Sequence, residues 1–187
     1  MALEFEDHPF WDFSLRVYGA KGVSGACIGL QERRGIDVNL VLFSVWNGES
    51  GRGTLTAAEL DKAVAVSAEW NRAVVCGLRA VRDTMKDGVR GIAREYSDPL
   101  RKQVLGLEVA CEHAEQLALA GAVKRAPEEG KAAELRADEA AANVIAYFRR
   151  HGFAPDGTDA AEVATILAPA FPDLDHAALA ARCRTAR

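Results

Sequence analysis

Apolar side chains recur every three or four positions along most of this chain, and the stretches that carry them break at glycine, proline or capping residues. A 3.6-residue period gathers such side chains into one stripe of a helix. A chain built from these stripes buries them by packing helix on helix. The expected fold is therefore all-α, a compact multi-helix bundle. With 187 residues, 49% of them hydrophobic, the chain has enough apolar surface for a core without disulfide or metal staples.

The punctuation sets the elements. Asp7 and Pro9 are read as the cap and first turn of an opening helix that Gly19 and Gly22 end. Phe10, Trp11, Phe13, Leu15, Val17 and Tyr18 cover most of its circumference, so burial on several sides is expected. Val23 to Arg34 reads as a second helix with Cys27, Ile28 and Leu30 inward, stopped by Gly35. Asp37 caps a nearly all-apolar run, Val38 to Trp46. A buried strand also suits a run this short. Val38 to Phe43 does not alternate, however, and its neighbours are helical, so a central helix is expected.

After a glycine- and serine-rich loop, Thr56 and Glu59 form a capping box. The long helical pattern behind it, Leu60 to Met85, is expected to kink or split near Ser67 to Trp70. Val89, Ile92, Ala93 and Tyr96 form a short amphipathic turn. Ser97, Asp98 and Pro99 start a helix whose apolar stripe is Leu100, Val104, Leu107, Cys111, Ala114 and Leu117, ending at Gly121. Residues 125–131 read as an exposed linker. Beyond them the chain turns alanine-rich, with a helix ending at Gly152, a capping box at Asp159 and Glu162, and a last helix opened by Asp173 or Asp175. The expected organisation is a helical core over residues 1–121, then a linker and helical appendage with a thinner core over 122–187.

Charge narrows the function classes. The net charge of −4 opposes non-specific binding to nucleic acid, which needs a positive field. No apolar run approaches the ~18 residues that span a bilayer, and residues 1–9 lack a secretory pattern. A cytoplasmic protein with no membrane contact is expected. Cys27, Cys76, Cys111 and Cys183 are widely spaced, as reduced thiols in apolar surroundings would be.

Several spaced blocks carry a resemblance. They are Phe10-Trp11-Asp12-Phe13-Ser14-Leu15-Arg16-Val17-Tyr18, then Ala26-Cys27-Ile28-Gly29-Leu30-Gln31, then Gly35-Ile36-Asp37-Val38-Asn39-Leu40 with Phe43 and Trp46. This order resembles an uncharacterised family of proteobacterial proteins, a domain of unknown function with an FWxFSLxVY opening and a later LQ…GxDVNL segment. The likeness continues more loosely through Trp70 and Leu78 to Arg82, and stops at about Gly121. Members usually have aspartate where this chain has Glu32, an exchange that keeps the charge. The resemblance implies a fold and a bacterial origin, and no activity.

Four constellations remain. Glu108, Glu112 and Glu115 share one helix face. Their spacing lacks the Glu-x-x-His pairs of di-iron bundles, so no metal is expected and a solvated or salt-bridged face is. Arg79, Arg82, Lys86, Arg90 and Arg94 form a basic row. It is expected to pair with acids at the surface, facing the three glutamates across an antiparallel helix pair. If the row lines a cleft instead, it would bind an acidic partner, a small anionic ligand or, less in keeping with the charge, a nucleic acid. Ser14, Tyr18, Gln31, Asp37 and Asn39 form a polar set inside the core: Asp37 as a cap, Asn39 satisfied by Gln31, Ser14 or Tyr18, the whole fixing register or bordering a pocket. The aromatics read as one shared core, or leave Trp11 or Trp46 exposed as a partner site.

The loop Gly48 to Gly53 lacks the Gly-Lys-Ser/Thr ending of a phosphate cradle. No catalytic residues and no cofactor are indicated. The leading expectation is a non-enzymatic interaction or assembly protein acting on another protein. The alternatives are a ligand binder or enzyme with a pocket in the core, and a polyanion binder using the basic row.

Overall fold

The run after Asp37 is a helix, and the molecule is arranged around it. In the computed structural model, which describes residues 5–186, the chain forms α1 (Pro9–Tyr18), α2 (Val23–Arg34), α3 (Val38–Glu49), α4 (Ala57–Trp70), α5 (Cys76–Thr84), α6 (Arg94–Ala122), α7 (Ala133–Arg150), α8 (Gly157–Leu167) and α9 (His176–Thr185). No strand occurs among the described residues. α4 passes directly into α5 through a π-helical turn, Asn71–Val75.

α3 is apolar on every side because it is enclosed on every side: ten of its twelve residues are buried. Its polar side chains bond within the helix or to neighbouring helices. Ser44 Oγ donates to Leu40 O at 2.8 Å and Asn47 Nδ2 to Phe43 O at 2.8 Å. α7 packs along α3. Small residues permit the approach: a Cβ on Gly48 would lie 2.3 Å from the backbone nitrogen of Ala140. Asn143 of α7, fully buried, then pins the following loop. Its amide donates to Ser44 O at 3.2 Å and Gly53 O at 3.1 Å, and accepts from Leu55 N at 2.7 Å.

The alanine-rich region is therefore not packed as an appendage with a thinner core. One buried cluster runs from Phe10 and Phe43 through Val144 and Phe148 to Ile166 and Cys183. The low bulk of alanine suggested weak packing, but small side chains at Ala137, Ala140 and Ala141 are what let two helices meet closely. Residues 126–130 are exposed, as expected of a linker, and the segment is anchored at Arg125 and Glu128. Arg125 donates to Glu59 and to the carbonyls of Arg52 and Thr54, and Glu128 N donates to Gly51 O at 3.0 Å.

Several local expectations need correction. His8, not Asp7, caps α1, accepting from Phe10 N at 3.1 Å. Leu15, Tyr18 and Ile28 are exposed, since α1 and α2 each bury only one face. α6 starts at Arg94 and holds Pro99 in its second turn, where only one backbone hydrogen bond is lost. The box that opens α8 is Asp156 with Asp159, one turn earlier than Asp159 with Glu162. Asp159 is then free to meet Arg33 at 3.1 Å and Arg34 at 2.7 Å, joining α2 to α8.

The segment from α5 to the first half of α6 differs from the rest. α5 buries no residue, and before Glu108 only Ser97 of α6 is buried. α5 packs mainly against α6 and the π turn, and with the first half of α6 it forms an arm. α6 alone, 29 residues, is about 43 Å long.

Candidate functional site

The stripe expected to bury α6 is buried only in its second half: Cys111 is buried and Val104, Ala114 and Leu117 are half-buried. Leu100 and Leu107 are exposed, while Glu108 and Glu115 are 4% and 2% exposed. The buried face of α6 is thus a polar seam facing α3, α4 and α5.

The seam has two parts. At the arm, Arg79 donates to Glu108 at 2.9 Å, to Glu112 at 2.9 Å and to Gln31 of α2 at 2.6 Å, and Arg82 donates to Glu108 at 2.6 Å. The basic and acidic rows face each other as antiparallel neighbours, but as a half-buried seam rather than a solvated surface. Burial works against the Arg79 charge, and Glu108 and Glu112 outweigh it and raise its pKa. Burial also pushes the Glu112 carboxyl up, beyond what Arg79 pulls down. Lys86, Arg90 and Arg94 lie further along the row, exposed and without an ion pair among the described residues.

Deeper in, the seam becomes a chain of neutral and acidic groups. Gln116 Nε2 donates to Asn39 Oδ1 at 2.8 Å, and Asn39 Nδ2 donates to Glu115 Oε2 at 2.9 Å. Ser67 Oγ lies 2.6 Å from Glu115 Oε1 and also bonds Asp37 Oδ2. Asp37 caps α3 through Asn39 N at 2.8 Å, and its own N–H donates to Tyr147 at 2.9 Å. A serine hydroxyl has one proton, so it donates to only one of two carboxylates. The other contact needs a proton on the carboxyl. Burial, then the nearby Asp37 charge, pushes Glu115 up to about 8. Glu115 is accordingly the protonated partner at neutral pH. It donates to Ser67, and Ser67 donates to Asp37.

The predicted polar set is therefore divided. Asp37 and Asn39 are joined, with Asn39 satisfied by Glu115 and Gln116 rather than by Gln31, Ser14 or Tyr18. Gln31 serves Arg79. Tyr18 is exposed, and the buried Ser14 hydroxyl has no partner among the described residues. The side chains fill one another's hydrogen-bonding capacity instead of bordering a common pocket. Ser67, Gln116 and Tyr147 were not legible as members. Ser67 sits on an ordinary helix, and Tyr147 is 110 residues from Asp37.

The aromatics separate as well. Trp46 is 4% exposed, stacked on Phe10 at 5.1 Å with Arg52 over its ring at 4.1 Å, so it is not an exposed partner residue. Trp11 is half-buried and stacked on His113 at 4.1 Å. Cys27, Cys111 and Cys183 are buried and all four cysteines are free. Burial pushes the Cys27 and Cys183 thiols up to about 12, so they stay protonated and unreactive. No group of three or more His, Cys, Asp or Glu side chains among the described residues is placed to hold a metal ion. No helix among them is long and apolar enough to cross a membrane.

Fold and seam together define an all-helical protein with a hydrogen-bonded polar seam through its core and a two-helix arm. The chain belongs to the family described as protein of unknown function DUF2390, whose model matches residues 9–119. That span runs from the first residue of α1 nearly to the end of α6 and contains the whole seam except Tyr147. No curated protein and no solved structure matches the chain.

Proposed function

We propose that this protein is a non-enzymatic docking module of the cytoplasm, engaging a protein partner through the α5–α6 arm. The observation that carries the reading is where the exposed apolar side chains lie. Of the fifteen large ones among the described residues, eight fall between Val81 and Val109, including Ile92, Tyr96, Leu100 and Leu107. Scattered apolar residues are normal on a surface, but a concentration on one segment marks a contact site. The inside of the arm is taken up by Arg79, Arg82 and Glu108, so its apolar flanks have no internal partner.

The competing readings draw less support. Arg79 is spent on Gln31, Glu108 and Glu112, which leaves it little capacity for a ligand. Lys86, Arg90 and Arg94 alternate with Asp83, Asp87 and Glu95, which breaks the continuous positive field a nucleic acid needs.

Light scattering on the purified protein, together with capture of partners from its own cells, tests the reading. The wild type is expected to self-associate or to retain a defined partner. Tyr96→Glu with Leu107→Glu, both at exposed positions, is expected to lose that association by about tenfold or more with circular dichroism unchanged. A monomeric wild type that retains nothing, or a double variant that retains the same partner, rules the arm out.

A further inference from the structure

Away from the arm, the loop after α3 presents an arginine with the features of a prepared anion receptor. Arg52 sits between Gly51 and Gly53, whose φ values are +77° and +90°. Gly51 has no alternative residue: a Cβ there would lie 2.8 Å from the carbonyl oxygen of Glu128. Both sides of Arg52 are tied to the anchored linker. Gly51 O accepts from Glu128 N at 3.0 Å, and Arg52 O accepts from Arg125 at 3.1 Å. The side chain lies over Trp46 with its central carbon 4.1 Å from the ring centroid. The guanidinium makes no hydrogen bond or ion pair among the described residues, although burial works against its charge and lowers its pKa.

This guanidinium borders a surface cleft of about 430 Å³, within the size range of small-molecule sites. His8 lines the same cleft. Its Nδ1 accepts from Phe10 N, so the neutral ring carries its proton on Nε2 as a donor. Burial and the Arg52 charge lower the His8 pKa and favour that neutral form. Lys124, exposed and without an ion pair among the described residues, supplies a second cation. Arg125 also lines the cleft but is committed to Glu59, Arg52 O and Thr54 O. Among the described residues Glu6 is the one carboxylate of the lining, and it is exposed. Leu117, Ala120 and Val123 make an apolar wall.

We propose that this cleft binds a small organic oxyanion, a carboxylate or a phosphate monoester, whose charged group is held by Arg52 with His8 and Lys124 and whose apolar body rests on the α6 end of the cleft. A guanidinium held over an aromatic ring keeps its N–H donors available to an oxyanion while its position is restricted by the ring. Fixing it beforehand lowers the entropy cost of binding. The site uses the arginine side chain and not a backbone phosphate cradle, so the missing Gly-Lys-Ser/Thr ending does not bear on it.

Isothermal titration of the full chain at low salt with phenyl phosphate, benzoate and inorganic phosphate tests this. Saturable binding of an organic probe is expected. It should weaken about tenfold or more in Arg52→Gln and stay within about twofold in Arg90→Gln on the arm. Tighter binding of phenyl phosphate assigns a phosphate ligand, and tighter binding of benzoate a carboxylate. Lys124→Gln, at an exposed position, decides the matter if Arg52→Gln fails to fold, and should also weaken binding. No saturable binding of any probe, or equal binding by the wild type and the folded variants, overturns the proposal.

Discussion

Glu115 shows how one side chain changes role with its surroundings. On the sequence it is the third acid of a helix face. In the fold it is enclosed by Asp37, Ser67 and Asn39 and keeps its proton. Its folded pKa, about 8, lies above the unfolded glutamate value of about 4.3. Between these values the folded state holds the extra proton, so stability falls as pH rises and levels off above the upper one. For one proton the slope reaches about 1.4 kcal/mol per pH unit at most. Glu115→Gln reproduces the protonated pattern, donating to Ser67 and accepting from Asn39. Urea unfolding between pH 5 and 9 should show this fall in the wild type and its loss in the variant, which becomes the more stable of the two at pH 8. Parallel pH profiles for the two proteins would count against a shared proton.

At the scale of elements, the contact of α3 with α7 and the π turn after α4 position the rest. Gly48 is needed where α3 meets Ala140, and Gly48→Ala is expected to destabilise by about 1–3 kcal/mol through overpacking. Gly25 on the exposed side of α2 has no neighbour within 4 Å of its Cβ position. Gly25→Ala should stabilise by about 0.5–1 kcal/mol, because alanine is the better helix former. Urea midpoints of the two variants check both signs, and equal shifts would contradict the close packing at Gly48. The π turn follows directly on the Ser67 to Trp70 stretch where a kink was expected. It lies between Ser67 of the deep network and Arg79 of the arm. Trp70, just before it, donates to Cys111 O at 3.0 Å and ties the turn to α6.

At the scale of the molecule, the family-matched segment and the segment after it share one hydrophobic core. Without α7, the apolar circumference of α3 would face water, and the loop held by Asn143 would lose its anchor. A chain ending at Ala122 is therefore expected to lose cooperative unfolding and fixed aromatic packing while retaining helix, and to bind a hydrophobic dye. A sharp thermal transition with intact near-ultraviolet dichroism in that fragment would show the opposite, that residues 1–122 fold alone.

The helical class, most helix boundaries and the Thr56–Glu59 and Asp37 caps were legible in the order of the amino acids alone. These depend on periodicity and on contacts within a few residues, and such information is local. Packing between distant segments set which face of α6 turns inward, made the alanine-rich helix central, and brought Asn39 to Glu115 across 76 residues. The reason is physical. Whether a helix face is buried depends on what packs against it, and a glutamate is tolerated inside only where other elements bring the serine, amides and arginine that satisfy it.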